Sequence, residues 1–108
     1  MHHDFIAAQE RRPVGPRLLT LYIYLNDLEE GGGGGTNFPY VDPSNPDFAI
    51  QPKKGRAVLW PSVLNEDVNT QDGRTLHQAL PVLKGVKYGA NAWIHLRDYK
   101  TNGEKGCL

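Results

Sequence analysis

The chain holds a single cysteine, Cys107, in 108 residues. A lone thiol closes no internal disulfide, so cysteine usage says nothing about redox compartment. Cys107 stands second from the last residue, not fourth, which excludes a prenylation signal. Net charge is also missing: 12 basic residues balance 12 acidic ones. That balance gives no electrostatic footprint for a nucleic acid or a membrane surface. No apolar run approaches the roughly 20 residues of a membrane helix. The opening residues lack the basic and apolar regions of a signal peptide. Helical patterning is scarce too. "LNDLEE" is short and runs into five glycines. The length suits one domain.

What is present reads as short strands between turns. "RLLTLYIYLN", Arg17 to Asn26, is the clearest. Thr20, Tyr22, Tyr24 and Asn26 alternate with Leu19, Leu21, Ile23 and Leu25, so one face is aliphatic and the other aromatic and polar. No charge lies between Arg17 and Asp27, so both faces are expected to be covered. The chain offers no helix for that cover, which points to a part of something larger. The glycine run reads as a tight connection within one continuous sheet rather than as a linker. "FAIQPKKGRAVLWPS" reads as strand, Lys-Gly turn, strand. "TLHQALPVLKGVKYGANAWIHLRDY" reads as strand, Lys-Gly turn and a long final strand. "YVDPSNPDF" and "VLNEDVNTQDGR" read as loops. Four or five strands at this spacing predict an all-β sandwich or barrel.

Residues i and i+2 of an extended segment share a face. In "MHHDFI", His2 and Asp4 therefore point one way and His3 the other. His77, in "TLHQAL", is placed to be a neighbour in a sandwich. Two imidazoles and a carboxylate that leave coordination positions open suit non-haem Fe(II). The spacing alone is also that of ordinary surface histidines.

The surrounding motifs separate the two. "LHQALPVLKGVKYGANAWIHLRDY" resembles the closing segment of the prolyl 4-hydroxylase branch of the 2-oxoglutarate, Fe(II)-dependent dioxygenases. It carries that branch's His, Pro-Val, Gly-x-Lys-aromatic and Asn-x-Trp pattern at His77, Pro81, Val82, Gly85, Lys87, Tyr88, Asn91 and Trp93. "RLLTLYIYLNDLEEGGGGGTNFP" is similar to the central strand and glycine turn of the family, and "IQPKKGRAVLWPS" to its Pro-Lys-x-Gly strands. "HHDFI" matches the His-x-Asp segment, so it reads as native sequence rather than as a purification tag.

The resemblance implies an all-β, double-stranded β-helix (jelly-roll) fold, incomplete at its N-terminus, over residues 1–100, with 101–108 as a tail. It implies Fe(II) held by His2, Asp4 and His77, and 2-oxoglutarate held by Lys87 with the hydroxyls of Tyr24 and Thr36. For Tyr24 and Thr36, core packing is an equal alternative; for Tyr22 it is the preferred one. Trp93 fits a pocket wall or the core. His95 reads as an ordinary core or surface histidine, and Arg97 as a surface charge, with a role as an alternative carboxylate partner the less favoured reading. The implied activity is hydroxylation of peptidyl proline to 4-hydroxyproline, with release of succinate and carbon dioxide and with ascorbate as a family cofactor. The implied partner is a proline-containing peptide met by loops 40–48 and 63–73. The implied setting is the endoplasmic reticulum or secretory pathway. Family members begin well before the His-x-Asp segment, so a frayed His2, weak iron binding and slow turnover are expected. Some carry a cysteine-rich module after the last strand, to which Cys107 could belong. Two rival readings remain: a cupin-like metal-binding protein without oxygen chemistry, and a non-catalytic fragment that binds partners through an uncovered sheet face.

Overall fold

The computed structural model describes residues 1–6 and 15–97. The expected tail with Cys107 lies outside the described residues. Among the described residues six strands follow one another: β1 (Arg17–Tyr24), β2 (Thr36–Asn37), β3 (Ala49–Ile50), β4 (Ala57–Pro61), β5 (Gln78–Ala79) and β6 (Gly89–His95). Among the described residues the helical element is one 3-10 turn, Gly73–Thr75. The strands form two three-stranded sheets, ordered β4-β1-β6 and β3-β2-β5, with antiparallel neighbours. This is the all-β jelly roll expected from the sequence.

β1 is the strand on which the larger sheet is built, and its alternation sorts its two faces. Thr20 and Tyr24 are fully buried. Thr20 lies between Trp60 and Trp93, and Tyr22 between Val58 and Asn91. On the outer face Leu19 lies between Pro61 and Ile94, and Leu21 between Leu59 and Ala92. That face is apolar, as the alternation predicts. The expected cover is not supplied by any described element: Leu59 is 59% exposed and Ile94 47%.

The chain changes sheet more often than the turn signals predict. The glycine run joins β1 of one sheet to β2 of the other, instead of continuing a single sheet. The two Lys-Gly turns each lie between two strands, as read from the sequence, and join β3 to β4 and β5 to β6 across the sandwich. A turn residue fixes a local reversal; which sheet receives the next strand is decided by long-range pairing. The glycine run is itself well tied down. Gly33, at φ 72°, bridges Val82, and a Cβ on it would strike the carbonyl of Pro81. Gly34 donates to that same carbonyl at 2.9 Å. The run therefore clamps the segment that leads to Lys87.

Gly89 has a different reason to lack a side chain. Tyr22 leans along the sheet so that its hydroxyl occupies the place of a Gly89 Cβ. Gly89→Ala is therefore expected to lower stability by about 1–3 kcal/mol, the usual range for overpacking. Gly73 faces open space, so Gly73→Ala should stay within ~0.5 kcal/mol of the parent. Denaturant midpoints of the two variants check the contrast, and equal midpoints would contradict it.

Candidate active site

The site begins with two backbone hydrogen bonds. His2 N–H donates to His77 C=O at 2.8 Å, and His77 N–H donates to His2 C=O at 3.0 Å. Residues exchanging both bonds of an antiparallel pair stand directly opposite, with side chains on one face. The two imidazoles accordingly meet edge to face, centroids 4.4 Å apart. Two residues on from His2, Asp4 returns to the same face. Its Oδ1 lies 3.5 Å from His2 Nε2 and 3.7 Å from His77 Nε2. The three ligand-capable atoms all fall within 4.8 Å of one another. These separations are long for hydrogen bonds. They suit donors that share one ion, since ligands at about 2.1 Å from a metal sit ~3–4 Å apart when adjacent.

Each buried member is oriented by a partner. Thr20 Oγ1 donates to Asp4 Oδ2 at 2.6 Å, which leaves Oδ1 to face the histidines. His77 Nδ1 lies 2.8 Å from the carbonyl of Thr75. A carbonyl only accepts, so Nδ1 carries the hydrogen and Nε2 keeps its lone pair toward Asp4. Trp60 and Phe38 pack on the His77 ring, centroids 4.9 and 5.6 Å away. Burial among them pushes the imidazole below its ordinary pKa, although the Thr75 carbonyl and Asp4 pull the other way. The ring is kept neutral, as a metal ligand must be. His3, as the alternation predicts, stays out of the cluster.

The cluster opens into a cavity of about 150 Å³. Its other walls are Tyr22, Thr36, Trp60, Ala79, Lys87, Asn91 and Trp93. Lys87 reaches in from the segment held by the glycine clamp. Its ammonium lies 5.4 Å from the Tyr22 ring centroid and 5.5 Å from that of Tyr24. Burial lowers its pKa, and no salt bridge among the described residues engages it. Burial likewise raises the Tyr22 and Tyr24 hydroxyls above the usual phenol range. Burial thus disfavours the charged forms of Lys87, Tyr22 and Tyr24, and an anion placed against Lys87 would offset that cost for the lysine.

The sequence-named residues divide as follows. His2, Asp4 and His77 converge, and Lys87 and Thr36 line the same cavity. Tyr24 is one layer deeper: its hydroxyl sits 2.6 Å from Thr36 Oγ1 and 3.1 Å from the Ile50 carbonyl. Tyr22, read from sequence as core, is on the wall instead. Loops 40–48 and 63–73 supply no lining residue. His95 Nδ1 lies 3.1 Å from the Gly15 carbonyl. Neither His95 nor Arg97 lines the cavity. Thr20 and Thr75 were not singled out. The signal for Thr20 was available, since it occupies the same face of β1 as Tyr22 and Tyr24.

Two imidazoles and a carboxylate gathered on a jelly roll narrow the class, and comparison with known proteins places the chain within it. The sequence pattern of the 2OG-Fe(II) oxygenase superfamily matches residues 1–95. Probable prolyl 4-hydroxylase 7 of Arabidopsis thaliana is 30% identical over 99% of this chain and 38% of its own length. Prolyl 4-hydroxylase subunit alpha-2 of Gallus gallus is 41% identical over 89% of this chain and 17% of its own length. The crystal structure of a viral collagen prolyl hydroxylase from Paramecium Bursaria Chlorella virus-1, a 2OG complex, superposes with a TM-score of 0.72 at 37% identity. It covers 90% of this chain and 51% of the viral one. The chain belongs to the 2OG-Fe(II) oxygenase superfamily and, within it, to the prolyl 4-hydroxylase family. It spans well under half the length of these two curated relatives.

Removing the Thr20 hydroxyl tests the orientation of Asp4. Thr20→Val keeps the shape but leaves Oδ2 buried without its donor. The metal-free chain is expected to lose about 1–3 kcal/mol of stability, read as a lower denaturant midpoint. An unchanged midpoint would mean that water takes over the bond.

Proposed function

We propose that this chain forms the metal and co-substrate centre of a 2-oxoglutarate-dependent hydroxylase acting on peptidyl proline. The observation that carries the reading is the convergence of His2, Asp4 and His77 at one end of a cavity that also holds an unneutralised Lys87. The donor set fits Fe(II): two imidazole nitrogens and one carboxylate oxygen, with the remaining directions opening toward the cavity. The cavity fits a small dianion, because a half-buried lysine without a carboxylate lacks only an anion.

In this reading His2, Asp4 and His77 hold Fe(II), and Lys87 takes the distal carboxylate of 2-oxoglutarate. Thr36, oriented by Tyr24, offers that carboxylate a hydroxyl. Bound iron and 2-oxoglutarate together supply the chemistry, which inserts one atom of dioxygen into a C–H bond while the co-substrate leaves as succinate and carbon dioxide. The chain's own contribution is placement and exclusion of water. Trp60 and Phe38 dry the inner side of His77, and the Tyr22 ring covers the stem of the site. Arg17, stacked 3.9 Å over the Trp93 ring, stiffens the outer wall, against which a proline ring could lie. A polyproline-like segment is already extended, so little entropy is lost on binding it. Ascorbate, as the reductant that keeps iron ferrous, belongs to the same proposal. Support for proline as target comes from the relatives' names; support for iron and 2-oxoglutarate comes from the cavity as well.

Anaerobic titration with Fe(II) and then 2-oxoglutarate is expected to give the charge-transfer absorption of a chelate. His77→Ala and Asp4→Ala should abolish it. Lys87→Ala should leave iron affinity nearly intact but weaken 2-oxoglutarate at least tenfold. Unchanged 2-oxoglutarate affinity in Lys87→Ala would favour a metal-binding protein without oxygen chemistry. A +16 Da product on a proline-rich peptide, with matching succinate, checks the substrate class.

A further inference from the structure

The turn that precedes His77 contains more polar order than a connecting loop requires. Asp72 is 2% exposed, yet its carboxylate is saturated from one neighbour. Its Oδ1 accepts from the backbone N–H of Arg74 at 3.0 Å and from Arg74 Nε at 2.9 Å, and its Oδ2 accepts from Arg74 Nη2 at 2.7 Å. The planar guanidinium grips the carboxylate with two parallel bonds, a geometry lysine does not offer. The backbone carbonyl of Asp72 accepts from Thr75 N at 3.2 Å and from Thr75 Oγ1 at 3.1 Å. The Thr75 carbonyl, so fixed, takes the Nδ1 hydrogen of His77.

The turn is anchored at its other end as well. Asp72 N–H donates to the Ser62 carbonyl at 2.9 Å, and Ser62 N–H donates to Leu18 C=O at 2.8 Å. A continuous series of hydrogen bonds thus runs from β1 through Ser62, Asp72 and Thr75 to the ring of His77. Only its last member, His77, lines the cavity; Ser62, Asp72, Arg74 and Thr75 do not.

We propose that Asp72, clamped by Arg74, is a positioning residue that sets the tautomer and ring angle of His77 by fixing the Thr75 carbonyl. The consequence for metal binding rests on the reading of His77 as a ligand; the consequence for the ring does not. Asp67 supplies an internal control. It organises a similar turn in the same loop, accepting from Asn69 N at 2.9 Å and Thr70 Oγ1 at 2.7 Å, without a link to His77.

The test compares the parent chain with Asp72→Ala, Arg74→Met and Asp67→Ala. The first readout is the tautomer of His77 in metal-free protein, from long-range proton–nitrogen NMR of the imidazole. The second is affinity for Co(II) as the probe ion. The parent should show a single Nδ1–H form. Asp72→Ala should give averaged ring signals and bind Co(II) about 10–100-fold more weakly. Arg74→Met, at a side chain 70% exposed to solvent, should fold and shift both readouts the same way by less. Asp67→Ala should change neither. A folded Asp72→Ala with the parent's tautomer and Co(II) affinity overturns the proposal, as does an Asp67→Ala effect of equal size. If Asp72→Ala does not fold, Arg74→Met decides by the same criteria. A parent that binds no Co(II) sinks the functional reading, and the tautomer comparison alone then decides this one.

Discussion

Two hydrogen bonds between His2 and His77 hold the rest of the site together. They join residues far apart in the chain, at a substantial loop-closure cost, and they do so in a register that leaves little freedom. A slip of one residue would send an imidazole to the opposite face and bring His3 toward the cavity. With the register fixed, Asp4 follows without further help, because an extended chain returns to the same face after two residues. Three candidate ligand side chains are thus placed by one pairing and one periodicity. The pairing has support at each end: Asp4 is tied to β1 by Thr20, and His77 is tied to β1 through Thr75, Asp72 and Ser62.

The interior between the sheets is unusual for its polarity. Among the described residues, Tyr24, Phe38, Trp60 and Val63 are its buried hydrophobic members, set among Asp4, Thr20, Thr36, Asn37, Ser62, Asp72, Thr75 and His77. A polar interior of this kind is stable only when its groups find partners. Thr20 serves Asp4, Tyr24 serves Thr36, and Gln78 donates to Asn37 at 3.0 Å. Lys87 is the exception among the cavity charges. Its ammonium faces the rings of Tyr22 and Tyr24, and such faces attract a cation weakly. The same burial that depresses its pKa makes it a strong attractor for a carboxylate.

Local periodicity carried much of this into the sequence. The i, i+2 relation of His2 and Asp4 separated both from His3, and the alternation of β1 sorted its faces correctly. Motif spacing brought His77 and Lys87 into the same argument. Long-range choices were not legible. The glycine run looked like a connection within one sheet, yet it hands the chain to the opposite sheet, as both Lys-Gly turns do, since turn chemistry is blind to which strand pairs next. Tyr22 escaped for another reason. Its place on the cavity wall depends on the empty space above Gly89, a residue from the far end of the chain whose missing side chain has meaning only once the strands are paired. Asp72 and Arg74 looked like loop residues because their effect on His77 passes through a backbone carbonyl, which has no signature in the sequence.

β1 therefore serves both faces of the larger sheet under different demands. Its inner face must be rigid, because Thr20 and Tyr24 each hold a group whose angle decides what the cavity can bind. Its outer face is aliphatic and supplies no polar anchor. Strand position is set mainly by pairing with β4 and β6, and only secondarily by packing on that outer face. Geometry at the site should consequently respond more to changes in the ladder, where a broken hydrogen bond shifts Thr20 directly, than to conservative changes among Leu19, Leu21 and Ile23. The β1–β6 bulge at Arg17–Leu19 falls at the end of the ladder nearest Thr20. It lets Arg17 lie across Trp93 while leaving the register from Leu19 onward unbroken. The irregularity is thereby confined to the rim of the cavity, and the residues that orient Asp4 and Thr36 stay on regular strand.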